Sequence, residues 1–210
     1  MYIPSHFGVD EATTRRFLSA QATADLVTAT PRGLVATFLP ILYEPAPDGY
    51  GSVVGHVARG NDHWQLPVLG EALMVLHGPD AYISPSWYPS KAEHGRVVPT
   101  WDYVTAHVYG RLVVHDDPVW LESLVRRLTA RHEASQPRPW SVDDAPAPYV
   151  AGQLRAIVGV EVAISRVEAK AKWSQNRPAA DVDGLIEGLH RTGHQDAAEA
   201  VRAARVPPGF

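Results

Sequence analysis

The sequence predicts a mainly β protein with flanking helices, and three observations support this fold class. About six stretches along the chain are rich in β-branched and aromatic residues, as strands are. Turn signals separate neighbouring stretches, which favours antiparallel hairpins. Stretches with helical periodicity fall between or outside the strands. Long strands interrupted by glycine favour a barrel over a sandwich.

The first half of the chain begins with a short helix and continues with strands. Asp10 is typical of a helix N-cap, and EATTRRFLSAQ after it has helical character. Residues 33–45 and 50–59 predict a hairpin closed by the turn APDG. Two further strands are predicted at 71–78 and 80–84, on either side of a turn at GPD.

The second half contains the clearest helix signal. Residues 100–116 alternate as a strand does, and Gly110 within them indicates a bulge or a bend. In DPVWLESLVRRLTARHE, Asp117 is the expected cap, Pro118 is the first helical residue, and the apolar residues share one face. PAPYVAGQLRAI predicts another short helix, and residues 157–176 predict a long final strand.

These elements predict two regions along the chain. Residues 1–178 form the barrel domain, and residues 179–210 form a small helical tail packed on or beside it. The tail follows Pro178, and its alanine-rich helical pattern is broken at Gly193.

Composition restricts the function classes that the chain can belong to. Its 210 residues suit one domain of ordinary size, and its formal charge of -4 does not favour a DNA-binding face. The absence of cysteine excludes disulfides and cysteine-ligated metals. The start has no signal-peptide pattern and no apolar run is long enough to span a bilayer, so we expect a cytoplasmic protein without a membrane segment.

The stretch AYISPSWYPSK is the first candidate for a binding site. Hydroxyls and a cation, the groups that bind phosphate, come from Ser84, Ser86, Ser90 and Lys91. Trp87 and Tyr88 add flat apolar faces. The alternative is a loop whose aromatic residues pack inward and whose lysine lies in solvent.

Two further stretches combine polar and aromatic residues. In GHVARGNDHW, Arg59 could clamp a phosphate or a carboxylate and Asn61 could bind a polar ligand edge. The alternative is an exposed turn. In VPTWDYVTAHVYG, Thr100 and Trp101 begin a strand, and Trp101 could lie against a ring or could pack in the core.

A fourth stretch, KAKWSQNR, lies late in the chain. Strand alternation places Lys172 and Ser174 on one face and Gln175 on the other, with Asn176 following. The alternative is a solvated strand edge protected by lysine. Phosphate-loop, nucleophile-elbow and HExxH motifs do not occur, and GYGSVVG lacks the third glycine of a dinucleotide loop.

Taken together, YISPSWY, GHVARGND, VPTWDYVTAHVYG and KAKWSQNR resemble the PaiB family of FMN-binding negative transcriptional regulators. MYIPSHF at the start also fits this family, and the resemblance covers roughly the first 190 residues. It implies an FMN-binding split β-barrel, similar to pyridoxamine-phosphate oxidases. It also implies a homodimer with FMN at the interface.

The resemblance also implies roles for the candidate residues. The phosphate would be held by Ser84, Ser86, Ser90 and Lys91. Thr100 and Trp101 would lie near the isoalloxazine or the ribityl chain, and Arg59 and Asn61 are further contacts. A late group, contributed by the same or the second subunit, would comprise Lys172, Ser174, Gln175 and Asn176.

Three functions remain open on this basis. The first is a flavin-dependent regulatory protein that acts through a small-molecule ligand or a partner, because no helix-turn-helix pattern is present for direct DNA binding. The second is an FMN-dependent oxidoreductase that acts on a small molecule or on NAD(P)H. The third is a heme-handling split-barrel protein, for which His56, His63 and His107 are the available ligands.

Overall fold

The computed structural model describes residues 1–205, which form two compact units. The helical unit comprises residues 1–14, 77–106 and 168–205. The sheet unit comprises residues 15–76 and 107–167. The predicted boundary at residue 178 stays a prediction, and the last five residues of the predicted tail, 206–210, lie outside the described residues.

Six strands form a closed antiparallel barrel, which confirms the predicted mainly β fold class. In chain order they are β1 Thr23–Thr30, β2 Gly33–Glu44, β3 Ser52–Ala58, β4 Ala72–Ile83, β5 Thr100–His115 and β6 Ile157–Lys172. Their order around the barrel is β1, β2, β3, β6, β5, β4.

The helices lie between and after the strands. They are α1 Glu11–Ala20, α2 Ser90–His94, α3 Pro118–Glu133, α4 Ala147–Leu154, α5 Ala179–Arg191 and α6 Gln195–Ala204. Short 3-10 turns occur at Ser5–Phe7, Asp62–Gln65, Pro85–Trp87 and Val142–Asp144. No helix within residues 1–205 combines the length and apolar character needed to cross a bilayer.

The predictions of the α3 start and of the β2–β3 hairpin are confirmed, because each depends on residues that are close together in the sequence. The Asp117 carboxylate accepts hydrogen bonds from the backbone N–H groups of Val119 and Trp120, as an N-cap does, and α3 begins at Pro118. The predicted hairpin forms between β2 and β3, with Ile41 opposite Gly55 and Glu44 opposite Ser52.

Three strand predictions were wrong. β1 was missed, although TADLVTAT alternates buried and less buried residues along its length. The turn predicted at GPD does not form, and β4 runs through it; an exposed proline fits a strand where its missing N–H is not required. The last strand ends at Lys172 instead of residue 176, and Ser174 beyond it has a φ of 58°.

The sheet unit is built on continuous strand pairing. β1 pairs with β2 from Thr23 opposite Pro40 to Thr30 opposite Gly33, and β3 pairs with β6 along its whole length. Helix α3 packs Leu124 and Leu128 against the side chains of β2 and β3. Gly110, predicted as a bulge or a bend, lies within β5, where an added Cβ would approach the Ala163 carbonyl oxygen to 2.1 Å.

The helical unit has a core of its own. Helices α5 and α6 bury Leu185, Leu189 and Val201 together with Ile83 at the end of β4. Trp173 belongs to the same apolar cluster. The loop after β4 and the turn after β6 therefore share one packed support within this unit.

Candidate functional site

The loop that follows β4 brings a cation and two hydroxyls together in the helical unit. The Ser84 hydroxyl accepts a hydrogen bond from the Ser86 backbone N–H at 3.2 Å, and Pro85 fixes the start of the turn. The Lys91 amine donates to the Ser86 hydroxyl at 3.0 Å. Ser86 and Lys91 are both exposed, so these polar groups face solvent.

Ser90 differs from the other two serines because it is buried. Its backbone N–H and its hydroxyl donate to the two carboxylate oxygens of Asp181, at 3.1 and 2.7 Å. Asp181 is also buried and lies in the first turn of α5. Ser90 therefore connects α2 to α5, and its hydroxyl proton is already engaged in a hydrogen bond within the protein.

Helix α5 also supports the loop by close contact with Trp87. A Cβ added at Gly188 would lie 2.2 Å from the Trp87 ring, and one added at Gly184 would lie 2.1 Å from the Trp87 carbonyl oxygen. A side chain at either position would therefore displace the loop. The two glycines, four residues apart on one helix face, let the loop lie directly on α5.

Lys172 lies at the centre of a second polar cluster in the helical unit. Its amine donates to the Thr100 hydroxyl at 2.6 Å, to the Trp101 carbonyl, and to the Asp102 carboxylate at 3.2 Å. The Asp102 side chain is fully buried, whereas the Lys172 side chain is 20% exposed. The end of β6 is thus joined to the start of β5 by a largely buried ion pair.

Ser174 supplies the second partner of the buried carboxylate. Its hydroxyl donates to Asp102 at 2.7 Å. Burial raises the pKa of Asp102, while hydrogen bonding to Ser174 and the charge of Lys172 oppose that rise. The positive φ of Ser174 is a conformation that a non-glycine residue adopts at a cost, and here it accompanies the contact with the buried acid.

Tyr88 lies within the electrostatic range of both clusters. Its ring is buried, and the Arg177 guanidinium carbon lies 4.9 Å from the ring centroid. Burial raises the pKa of Tyr88; Arg177 opposes the rise, and the charges of Asp102 and Asp181 add to it. Tyr88 is therefore a buried group whose pKa responds to both buried carboxylates.

The remaining predicted residues of the helical unit have separate roles. Trp101 is 51% exposed, stands edge-on to Tyr82, and donates its indole N–H to Asp80 at 2.8 Å. Gln175 closes the turn after β6 by bonding the Trp173 N–H and the Ala171 carbonyl, both at 2.7 Å. Asn176 is exposed.

Arg59 and Asn61 lie in the sheet unit. Arg59 donates to both Asp116 oxygens and to the carbonyls of Arg155 and Ile157, and hydrogen bonding to Asp116 raises the pKa of Arg59. Asn61 caps a 3-10 turn by accepting from the His63 N–H. The geometry therefore assigns Arg59 and Asn61 contacts within their own unit.

The three histidines available as heme ligands also lie in the sheet unit. Both ring nitrogens of His63 contact hydroxyls, Thr28 at 2.7 Å and Thr37 at 2.8 Å. Burial lowers the pKa of His56, and its Nδ1 is buried without a hydrogen-bond partner. His107 stands edge-on to Tyr109.

Comparison with known proteins identifies the family. Residues 1–166 match the family described as "Putative FMN-binding domain". The chain is 31% identical to Protease synthase and sporulation protein PAI 2 of Bacillus subtilis, over 94% of this chain and 93% of that protein. The chain belongs to this FMN-binding, PaiB-like family. FMN is therefore its cofactor.

Comparison with solved structures supports the fold class that the sequence predicted. The flavocytochrome Anf3 of Azotobacter vinelandii matches with a TM-score of 0.54 at 12% identity, over 78% of this chain and 67% of that chain. A conserved hypothetical protein of Mycobacterium tuberculosis also gives 0.54, at 14% identity, over 85% and 94%. These likenesses concern the fold, and they agree with the split barrel that the resemblance implied.

The chemistry of the loop after β4 fits an FMN phosphate. An exposed amine 3.0 Å from an exposed hydroxyl presents the donors that a phosphate dianion binds. Sequence reasoning missed Asp102, Arg177 and Asp181, and it gave the inward packing of Tyr88 only as the alternative. Acidic residues next to predicted ligands were the available signal, because a buried lysine or serine often requires a carboxylate partner.

Proposed function

We propose that the chain is a flavin-dependent regulatory protein of the PaiB type. Its FMN phosphate binds the loop after β4 through Ser84, Ser86 and Lys91. The observation that carries this proposal is the exposed contact between the Lys91 amine and the Ser86 hydroxyl. Ser90 supports the loop through Asp181.

The two lysines predicted at the site differ in the charge that they face. Lys172 faces the buried carboxylate of Asp102, so its charge is already balanced within the protein. Lys91 contacts a neutral hydroxyl and lies in solvent. A phosphate dianion is therefore compensated better by Lys91 than by Lys172.

The second polar cluster supplies the remaining proposed contacts in the helical unit. The Trp101 indole is half exposed and offers a face for the isoalloxazine, and Thr100 offers a hydroxyl held by Lys172. The proposed late group adds Ser174, Gln175 and Asn176. Bound FMN supplies electron or hydride transfer. Contacts from Arg59 and Asn61 stay predictions, because those side chains already bind within the sheet unit.

An apolar face of the sheet unit supports the proposed homodimer. Along β2, alternate residues Leu34, Ala36, Phe38 and Pro40 are all exposed. Leu34 is 79% exposed and Phe38 is 67% exposed. A strand face of this length without polar groups is typical of a surface covered by another chain, and we propose that a second copy covers it.

The regulatory part of the proposal comes from the relative in Bacillus subtilis, whose name concerns protease synthesis and sporulation. That protein and this chain align over nearly their full lengths. The net charge of -4 favours action through a ligand or a partner protein over direct DNA contact. A small-molecule ligand of the regulator belongs to this proposal.

FMN titration of the loop variants tests the binding part. Lys91→Ala is expected to weaken FMN binding at least tenfold, because it removes a charge-assisted contact worth about 1.5–3 kcal/mol. Arg111→Ala removes an exposed cation of the sheet unit and is the matched control, with less than a twofold change expected. Lys172→Ala is expected to have a smaller effect than Lys91→Ala. Equal effects of Lys91→Ala and Arg111→Ala would remove the phosphate assignment.

Two measurements on the FMN-loaded protein separate regulation from catalysis. Anaerobic addition of NADH or NADPH is expected to leave the flavin absorbance unchanged over minutes. Rapid bleaching would make the chain an oxidoreductase. A gel shift with DNA is expected to be absent at moderate salt; a shift that weakens steeply with salt would show direct DNA contact.

Sedimentation tests the homodimer. Phe38→Glu places a charge on the apolar face and is expected to convert the dimer to a monomer. Val119→Glu, at a 76% exposed position of α3, is the control and is expected to leave the dimer intact. A wild-type monomer at micromolar concentration would contradict the proposal.

A further inference from the structure

A cleft in the helical unit is lined by two arginines and, within residues 1–205, by no acidic residue. Its volume is about 220 Å³, below the range of about 300–1,000 Å³ that is usual for drug-sized ligands. The turn after β6 contributes Ser174, Gln175 and Arg177, and the end of α6 contributes Ala204 and Arg205. The cleft therefore suits a ligand that is small and anionic.

Arg177 is the cation of this cleft that the protein leaves without a counter-ion. In the part of the chain that the structure describes, its guanidinium has neither a hydrogen-bond partner nor a carboxylate within ion-pair distance. It lies over the Tyr88 ring, with its central carbon 4.9 Å from the centroid. Arg177 is half-buried, and its nitrogens remain accessible to solvent, since none of them is a buried atom without a partner. A ligand in the cleft can therefore reach these donors.

The two buried acids near Tyr88 are engaged by other groups. The Asp102 carboxylate accepts hydrogen bonds from Lys172 and Ser174. The Asp181 carboxylate accepts both of its hydrogen bonds from the first residue of α2. Neither acid forms a hydrogen bond with the arginine of the turn, which leaves the donors of that arginine for a ligand.

The other exposed polar side chains of the cleft are partly or fully used within the protein. Arg205 donates to the Asp183 carboxylate and to the Ala179 carbonyl, so its charge is already compensated. The exposed Gln175 amide donates one hydrogen to the Ala171 carbonyl at 2.7 Å, which leaves its second N–H available. One uncompensated charge and one amide N–H are therefore available to a ligand.

We propose that this cleft binds a small molecule that carries one carboxylate group and a short aliphatic chain. The planar guanidinium of Arg177 matches the two oxygens of a carboxylate. A monoanion balances its single charge, whereas a phosphate dianion would bring a second charge without a counter-ion. Ala179 and Ala204 line the same cleft, and their methyl groups offer contact to a short chain. The site names the small-molecule ligand of the regulator, so its regulatory meaning rests on the proposed function.

The cleft adjoins the proposed flavin site. Ser174 and Gln175 belong both to its lining and to the late group of proposed FMN contacts. Tyr88, the ring that Arg177 covers, lies in the loop after β4. The cation proposed for the FMN phosphate is Lys91 and not Arg177, so we expect the acid and FMN to bind at the same time.

Titration of the FMN-loaded protein with butyrate and butyramide, followed by NMR, tests the proposal. The two probes have the same carbon chain and differ in charge. We expect saturable binding of one butyrate per chain, at least fivefold tighter than butyramide, because a charge-assisted pair with arginine is stronger than a neutral hydrogen bond. Equal affinities, or no saturable binding of either probe, would overturn the proposal. Displacement of butyrate by FMN would also overturn it, because the cleft would then be part of the flavin site.

Variants identify the residue. Arg177→Gln is expected to abolish the preference for butyrate, whereas Arg177→Lys keeps the charge without the planar fork and retains part of it. Arg111→Gln, at an exposed arginine of the sheet unit, is the matched control and is expected to keep the full preference. A preference that persists in Arg177→Gln would contradict the assignment.

FMN titration separates this site from the proposed function. Arg177→Gln is expected to bind FMN within twofold of the wild-type affinity, which would show that the loss of butyrate binding does not come from a misfolded chain. A wild-type chain that binds butyrate but not FMN would remove the proposed flavin site and leave the carboxylate site in place. The reverse result would remove only the carboxylate site.

Discussion

Lys172 in the helical unit and Arg59 in the sheet unit are both cations predicted near a flavin, yet they face different partners. Lys172 faces the fully buried Asp102, with the hydroxyl of Thr100 beside it. Arg59 faces the exposed carboxylate of Asp116 and backbone carbonyls. Burial of the acid determines how much each ion pair contributes to stability. An exposed pair contributes little, whereas breaking a buried pair leaves a buried charge without its counter-ion.

The comparison also explains why Lys91 is the proposed phosphate ligand. Lys91 contacts a neutral hydroxyl, whereas Lys172 and Arg59 each bind a carboxylate of the protein. A cation becomes a ligand-binding group when the protein does not already neutralise it. The predictions below test this distinction and the support of the Lys91 loop by α5, from the largest expected effect to the smallest.

Loss of the buried cation is expected to have the largest effect. Lys172→Met should lower the free energy of unfolding by about 2–4 kcal/mol at pH 7, because the Asp102 carboxylate stays buried without its counter-ion. Urea denaturation measures this. Lys91→Met, which removes an exposed lysine from the same unit, is the control and should change stability by less than about 0.5 kcal/mol.

The pH dependence of this loss identifies its cause. Burial raises the native pKa of Asp102 above its ordinary value of 3.8, so the native state takes up this proton at a higher pH than the unfolded chain. The cost of burying the ionised acid is therefore present at neutral pH and disappears as the pH falls toward 4. The deficit of Lys172→Met should shrink over that range. A constant deficit would indicate lost packing and not a buried charge.

Gly188→Ala should have the next largest effect on stability, and whether it stabilises or destabilises the protein is informative. Alanine normally stabilises a helix interior relative to glycine by about 1 kcal/mol. At Gly188 the added methyl would overlap the Trp87 ring, and we expect a loss of about 1–3 kcal/mol with weaker FMN binding. Gly152→Ala in α4, whose Cβ would have Arg155 at 3.8 Å as its neighbour, should stabilise the protein. Equal effects of the two variants would contradict the close contact of the loop with α5.

The smallest effect on FMN binding is expected from Arg59→Met. The guanidinium donates to Asp116 and to two carbonyls, so its removal should change the FMN dissociation constant by less than about twofold. FMN titration measures this directly. A tenfold loss would mean that Arg59 contacts the flavin, as the family resemblance implied, and that the contrast with Lys91 is wrong.

Local signals predicted much of the fold, and contacts between distant residues account for what they missed. The cap at Asp117 and the β2–β3 hairpin depend on neighbouring residues and were predictable. The phosphate-loop candidates were chosen by residue type. The burial of Ser90 against a carboxylate 91 positions away could not be seen in that way. The role of Asp102 depends on Lys172, 70 positions later, and no local pattern encodes that pairing.

The contact between α5 and the loop after β4 determines which segments have to be transferred together if the loop is grafted into another protein. The family match ends at residue 166, before α5 begins at Ala179. A chimaera with its junction after residue 166 would contain the loop but would lack Gly184 and Gly188, against which the loop packs. It would also lack Asp181, which accepts the hydrogen bonds of Ser90. A transplant that retains the conformation of the loop has to carry both segments, although they are far apart in the chain.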